Sequence, residues 1–200
     1  MSNNPKVEIR NWKTNGIIDI YEFTKLRNNI WKEDKLKYDW QIVCDVDEFL
    51  YHPQLLNILN DYKTKGISVC LTRGYDMYSL QKPKTNGQIY SELQLGIPSV
   101  MFSKPVIFNP KKVVTTNYNH GAHNMWPKGQ ILKSSRKLKL LHYKYIGIDY
   151  VNKKGKEHAA RVGKDDFISE RRKKRYEDFS NLNKTFFTKN LKKCVNVLGG

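Results

Sequence analysis

Trp40-Gln41-Ile42-Val43-Cys44-Asp45-Val46-Asp47-Glu48-Phe49-Leu50 decides how this chain reads. Its first five residues form an apolar run too short for a helix. They predict a buried central strand in a parallel setting, with both faces covered. The run stops at three carboxylates in four positions. Such charges repel one another and are costly near a core, so something must compensate them. The simplest compensation is a divalent cation. Asp45 and Asp47 stand two apart and project to the same side of an extended chain. Oxygen ligands of this kind suit Mg²⁺ or Mn²⁺, which keep room for phosphate oxygens. Open α/β sheets hold their ligands beyond the carboxyl ends of strands, where this motif falls. The plainer alternative is an acidic turn that caps the next helix.

Working outward, Pro53 suits the first turn of a helix running to about Lys65, with Leu55, Leu56, Ile58 and Leu59 as its buried face. Gly66 ends that helix, and residues 67–71 predict another strand. Upstream, residues 6–12 (KVEIRNW) alternate and predict a short strand able to cover one side of the central one. Phe23, Leu26, Ile30 and Leu36 predict a helix over residues 22–36. Downstream, alternating segments cover residues 100–108, 112–116 and 138–143, separated by loops at 82–87 and 118–129. From about Asp149 the chain reads as helical and charged. This order gives an α/β fold with a mixed sheet flanked by helices. It divides into one domain over residues 1–148 and a basic helical region over residues 149–200.

The chain has 200 residues, 39% of them hydrophobic, which excludes a disordered or fibrous protein. No apolar run approaches the length of a membrane span. The polar start, Met1-Ser2-Asn3-Asn4-Pro5, argues against a signal peptide. Cys44, Cys70 and Cys194 are odd in number and lack metal spacing. Cys44 and Cys70 lie in apolar runs and read as buried thiols of a reducing compartment, the cytoplasm of a bacterium or of a virus-infected host. The net charge of +17 is uneven: residues 1–127 carry 16 basic and 12 acidic side chains, residues 128–200 carry 20 and 7. A basic tail of this kind suits nucleic acid, peripheral contact with an anionic membrane, or an anionic substrate such as a nucleotide diphosphate. No nucleic-acid motif accompanies it, which disfavours nucleic acid. The densest run, Arg171-Arg172-Lys173-Lys174-Arg175, reads as a solvated helix face.

His142, in Leu140-Leu141-His142-Tyr143-Lys144-Tyr145, is either a satisfied core histidine or a third metal ligand beside Asp45 and Asp47. Lys144 falls on the same face and is placed to meet a diphosphate. The loop Asn119-His120-Gly121-Ala122-His123-Asn124 holds two histidines. No cysteine or carboxylate stands at zinc spacing there, so acid–base work or acceptor binding by His123 is a better reading than zinc, with an ordinary polar loop as the plainer alternative. Asp76, in Arg73-Gly74-Tyr75-Asp76-Met77, is a candidate base. No P-loop, GxGxxG or GxSxG pattern occurs.

Together, Trp40 to Leu50, Gly74-Tyr75-Asp76-Met77, Gly121-Ala122-His123 and Leu140-Leu141-His142-Tyr143-Lys144 resemble the bacterial and viral family-2-like glycosyltransferases of the GT-A fold. The resemblance covers somewhat more than half of the chain. It implies a nucleotide-sugar donor whose diphosphate is bridged by Mn²⁺ or Mg²⁺ to the Asp-x-Asp carboxylates. Asp47 would bind the metal directly, Asp45 would contact the ribose or the metal, and His142 would be the late histidine ligand. The acceptor, whether glycan, lipid or protein, is not specified. Such enzymes open with a strand–helix unit that holds the base, and the residues before Trp40 lack its polar turn. The sequence therefore reads as an N-terminally truncated member of this group. The alternatives are an inactive or partial domain acting as a binding module, and a basic nucleic-acid-binding protein.

Overall fold

The computed structural model describes residues 7–17, 19–84, 87–162 and 167–199. Helix α1 (Ile20–Asn29) begins where the Asp19 side chain accepts hydrogen bonds from the backbone N–H groups of Tyr21 and Glu22, satisfying donors that a helix start leaves free. It tightens into a 3-10 turn over Ile30–Asp34, so it starts and ends earlier than its apolar spacing predicts. Trp31 of that turn is buried edge-on against Phe108, ring centroids 5.0 Å apart, which fixes the helix to the core.

The central strand expected over residues 40–44 is not central. Only Gln41–Ile42 form a strand, β1. It pairs antiparallel, not parallel, with β6 (Ile107–Phe108) at the edge of a three-stranded sheet completed by β3 (Val69–Cys70). Val43 packs inward, but Ile42 is 48% exposed and Cys44 is exposed too. The run thus has one covered face where a parallel central strand has two. Cys70 is buried as expected, and burial pushes its thiol pKa up to about 12. Residues 7–12 form no strand either, and Lys6 lies outside the described residues. The alternating charges Glu8 and Arg10 pair with each other, and Arg10 reaches Glu33 of the 3-10 turn. Among the described residues no strand lies beside them, and β1 remains a sheet edge.

After the acidic turn the chain runs on as β2 (Glu48–Tyr51) before α2 (Leu55–Thr64). Gly66, at φ 74°, ends α2 as its position predicts. That helix buries Leu59 and Tyr62 and leaves Leu56 exposed, contrary to the expected face. A second, five-stranded sheet carries the rest. Its order is β10 (Val195–Asn196), β5 (Leu95–Ser99), β4 (Thr72–Ser79), β9 (Leu138–Ile146), β2. Strands β4 and β9 are parallel and the other pairs antiparallel. The sheet is therefore mixed and flanked by helices, as expected. The segment 100–108 is not one strand, because a turn after β5 separates it from β6. A two-stranded ribbon, β7 (Val113–Thr115) and β8 (Lys128–Gly129), lies beyond.

The short α3 (Ile89–Glu92) precedes β5. The C-terminal helices α4 (Ile148–Arg161), α5 (Phe167–Phe179) and α6 (Lys184–Leu191) begin where the charge pattern changes. The last region is not helical throughout. Val195 and Asn196 join the sheet as β10, and Phe187 of α6 packs with Tyr78 of β4. Among the described residues no helix is long and apolar enough to cross a membrane.

Candidate functional site

Strand register assembles the site. Glu48 of β2 stands opposite His142 of β9, and Asp76 of β4 stands beside it on the other flank. Asp47, one residue before β2, is tied to β9 by the Tyr143 N–H, which donates to the Asp47 carbonyl at 2.8 Å. His142 Nδ1 lies 2.7 Å from Asp76 Oδ1, and His142 Nε2 lies 3.6 Å from Asp47 Oδ2. Donation of Nδ1–H to Asp76 leaves the Nε2 lone pair facing Asp47. A carboxylate behind an imidazole fixes both its tautomer and its orientation, the arrangement that supports histidine as a metal ligand.

Phe102 stacks on the His142 ring, centroids 3.7 Å apart, and holds its plane. Residue 74 must be glycine for this. A Cβ there would stand 2.1 Å from the Phe102 carbonyl carbon, and the Gly74 N–H donates to Ser103 Oγ at 2.9 Å. His123 meets the same Phe102 ring edge-on at 5.5 Å. Burial first, and then the Lys104 charge, holds the His123 pKa below the usual imidazole value. Its loop contains Gly121 at φ 76° and Ala122 at φ 53°. The second is a conformation L-residues rarely adopt. Asn28 of α1 restrains the loop base, accepting from the Tyr118 N–H at 2.8 Å and the Thr116 hydroxyl at 2.7 Å.

The three carboxylates are compensated separately. Asp45 is paired with the Arg27 guanidinium, which sits 4.3 Å from the Phe23 ring centroid. Burial pushes the Arg27 pKa down, opposed by the charge of Glu48. Glu48 is fully buried with Lys104, Oε1 to Nζ 2.6 Å, and its Oε2 accepts the Asp45 N–H at 3.1 Å. Asp47 alone points at His142. The turn, closed by the Glu48 N–H on the Asp45 carbonyl at 3.0 Å, sends Asp45 toward α1 and Asp47 toward β9. The same-side projection expected of an extended chain is therefore absent. Arg27 and Lys104 escape a reading of the sequence. Their only signal is the charge deficit of the acidic triplet, which a metal satisfies equally well on paper.

Among the described residues no group of three or more His, Cys, Asp or Glu side chains has metal-site geometry. Two donors do fit a cation. Ligand distances of about 2.1 Å allow one Mg²⁺-sized ion to touch atoms 3.6 Å apart, as Asp47 and His142 are. Asp45, held by Arg27, stands apart from that pair. Lys144, two residues past His142 and partly buried, has its pKa pushed down to about 8, by burial first and by Arg175 next. Its Nζ lies 3.5 Å from the centroid of the Phe179 ring. Asp76, expected as a base, has one carboxylate oxygen engaged by His142. Neither a protein-family model nor a curated protein matches this chain, so the reading of the site rests on its own geometry.

Proposed function

We propose that the protein is a metal-dependent glycosyltransferase of GT-A type, moving a sugar from a nucleotide-sugar donor to an acceptor hydroxyl. The observation that carries this reading is the line Asp76–His142–Asp47: an imidazole oriented from behind by one carboxylate, with its free nitrogen directed at a second. Asp47 and His142 would hold Mn²⁺ or Mg²⁺. Bound there, the ion would neutralise charge on a departing nucleoside diphosphate. Asp76 orients His142. The Arg27–Asp45 pair and the buried Glu48–Lys104 pair hold the turn that presents Asp47. Lys144 adds positive charge on the same strand for the donor phosphates. His123, whose pKa burial holds below the usual imidazole value, would take a proton from an acceptor hydroxyl.

The test is Mn²⁺ titration followed by calorimetry, then a panel of nucleotide sugars assayed for hydrolysis with and without Mn²⁺. Wild-type protein should bind Mn²⁺, His142→Ala and Asp47→Asn should lose it, and Asp76→Asn should weaken it about 10–100-fold. Equal Mn²⁺ affinity in wild type and His142→Ala would sink the metal role. Metal binding without turnover of any nucleotide sugar would favour a binding module.

A further inference from the structure

Residues 171–175 place five cationic side chains in succession on α5. Five successive helical positions sweep about 400° around the axis, so they cannot all face solvent on one side. Arg175 turns toward Phe179, its guanidinium carbon 5.6 Å from the ring centroid. Lys144 Nζ lies 3.5 Å from the same centroid. Two cations from different elements, one on β9 and one on α5, thus share a single aromatic ring. A ring face attracts cations but does not neutralise them. Neither side chain has an ion-pair partner among the described residues.

We propose that Lys144 and Arg175, set on the Phe179 ring, form a binding site for a phosphate-type oxyanion beside the Asp47–His142 pair. Two fixed positive charges match an anion of charge near −2. A carboxylate would leave one cation uncompensated, whereas a phosphoryl group offers several acceptor oxygens to a lysine and a forked guanidinium together. The basic helix thereby becomes part of the site and is no longer only a solvated face. The oxyanion is carried by the donor diphosphate or by a phosphorylated acceptor. Only that assignment rests on the glycosyltransferase reading; the anion site itself needs no metal.

Inorganic pyrophosphate titrated calorimetrically at neutral pH in the presence of EDTA tests the site independently of Mn²⁺. Lys144→Gln and Arg175→Gln should each weaken pyrophosphate about tenfold, and Arg175→Lys should retain most of the affinity. Lys173→Gln, an exposed change in the same basic run, should stay within about twofold. Equal losses at positions 173 and 175 would reduce the effect to the general field of a cationic protein and overturn the proposal. Unchanged affinity in Arg175→Gln would overturn it as well. Arg175 is exposed, so its variant tests the site even if Lys144→Gln folds poorly. Parallel titrations with a nucleoside diphosphate and with a hexose phosphate identify the source, as the ligand whose affinity falls in Arg175→Gln. Mn²⁺ binding by Asp47 and His142 should be unaffected in that variant, so failure of one proposal leaves the other standing.

Discussion

Glu48 and Lys104 are fully buried and oppositely charged, beneath the turn that presents Asp47. Removing one partner strands the other in a low-dielectric site. Lys104→Met should therefore destabilise the protein by about 3–5 kcal/mol, and the double change Glu48→Leu with Lys104→Met should recover much of it. Denaturant unfolding of the three proteins measures both effects. The double variant should still present Asp47 poorly, because Glu48 also accepts the Asp45 N–H. Two histidines set a pH dependence. His123 and His158 both have pKa values held below the ordinary imidazole value, chiefly by burial. Lys104 and Arg175 act against protonation of His123, and Glu48 favours it. Around His158, Lys154, Arg161 and Lys144 act against protonation, and Glu157 favours it. Below pH about 6.5 the unfolded chain binds more protons at these positions than the folded one, so stability falls with acidification. The loss levels off below the folded pKa values. Urea midpoints between pH 7.5 and 5 should show this fall, and the double variant His123→Gln with His158→Gln should flatten it.

At the scale of elements, the turn between β5 and β6 packs its backbone where Gly74 has no side chain. Gly74→Ala forces that backbone away and lifts Phe102 off His142. A stability loss of about 1–3 kcal/mol is expected, accompanied by weaker Mn²⁺ binding. An alanine variant with unchanged Mn²⁺ affinity would show that Phe102 stacking is not what holds the imidazole. The sequence made part of this legible. Asp47, His142 and Asp76 were visible as chemistry, and they do meet, whereas Asp45 and Glu48 turn away to Arg27 and Lys104. The arms that bring them together were not. A two-residue strand such as β1 is too short for periodicity to distinguish an edge from a centre. Residues 6–12 alternate well, yet the alternation is between charges that pair locally, and no neighbour supplies the ladder. Position 74 gives no sign in the sequence of the Phe102 carbonyl that occupies its side-chain space.

At the scale of the whole molecule, the C-terminal helices are joined to the sheet that carries the site. Gly155 of α4 lies against the α5 backbone; a Cβ there would stand 2.6 Å from the Ser180 nitrogen and 2.8 Å from the Tyr176 carbonyl oxygen. The helices therefore meet backbone to backbone, and a bulkier residue pushes α5, with Arg175 and Phe179, away from Lys144. Gly155→Val should reduce pyrophosphate affinity about as much as Arg175→Gln does, with only a modest loss of Mn²⁺ affinity. Calorimetry with each ligand separates the two effects. The flat sequence pattern of this region gives its charge and its helices, but not which cation reaches the Phe179 ring.

The parallel pairing of β4 with β9 has a consequence in time. His142 meets Asp76 across a sequence separation of 66, and no local turn can bring them together. Loop closure over such distances is entropically slow, and folds dominated by non-local pairing reach the native state in milliseconds to seconds, with roughly the slower end expected here. Until β9 docks between β4 and β2, neither flank of the imidazole exists. Acquisition of function on dilution from denaturant should therefore coincide with the slowest step of sheet assembly, rather than precede it as it would for a site built on a single hairpin.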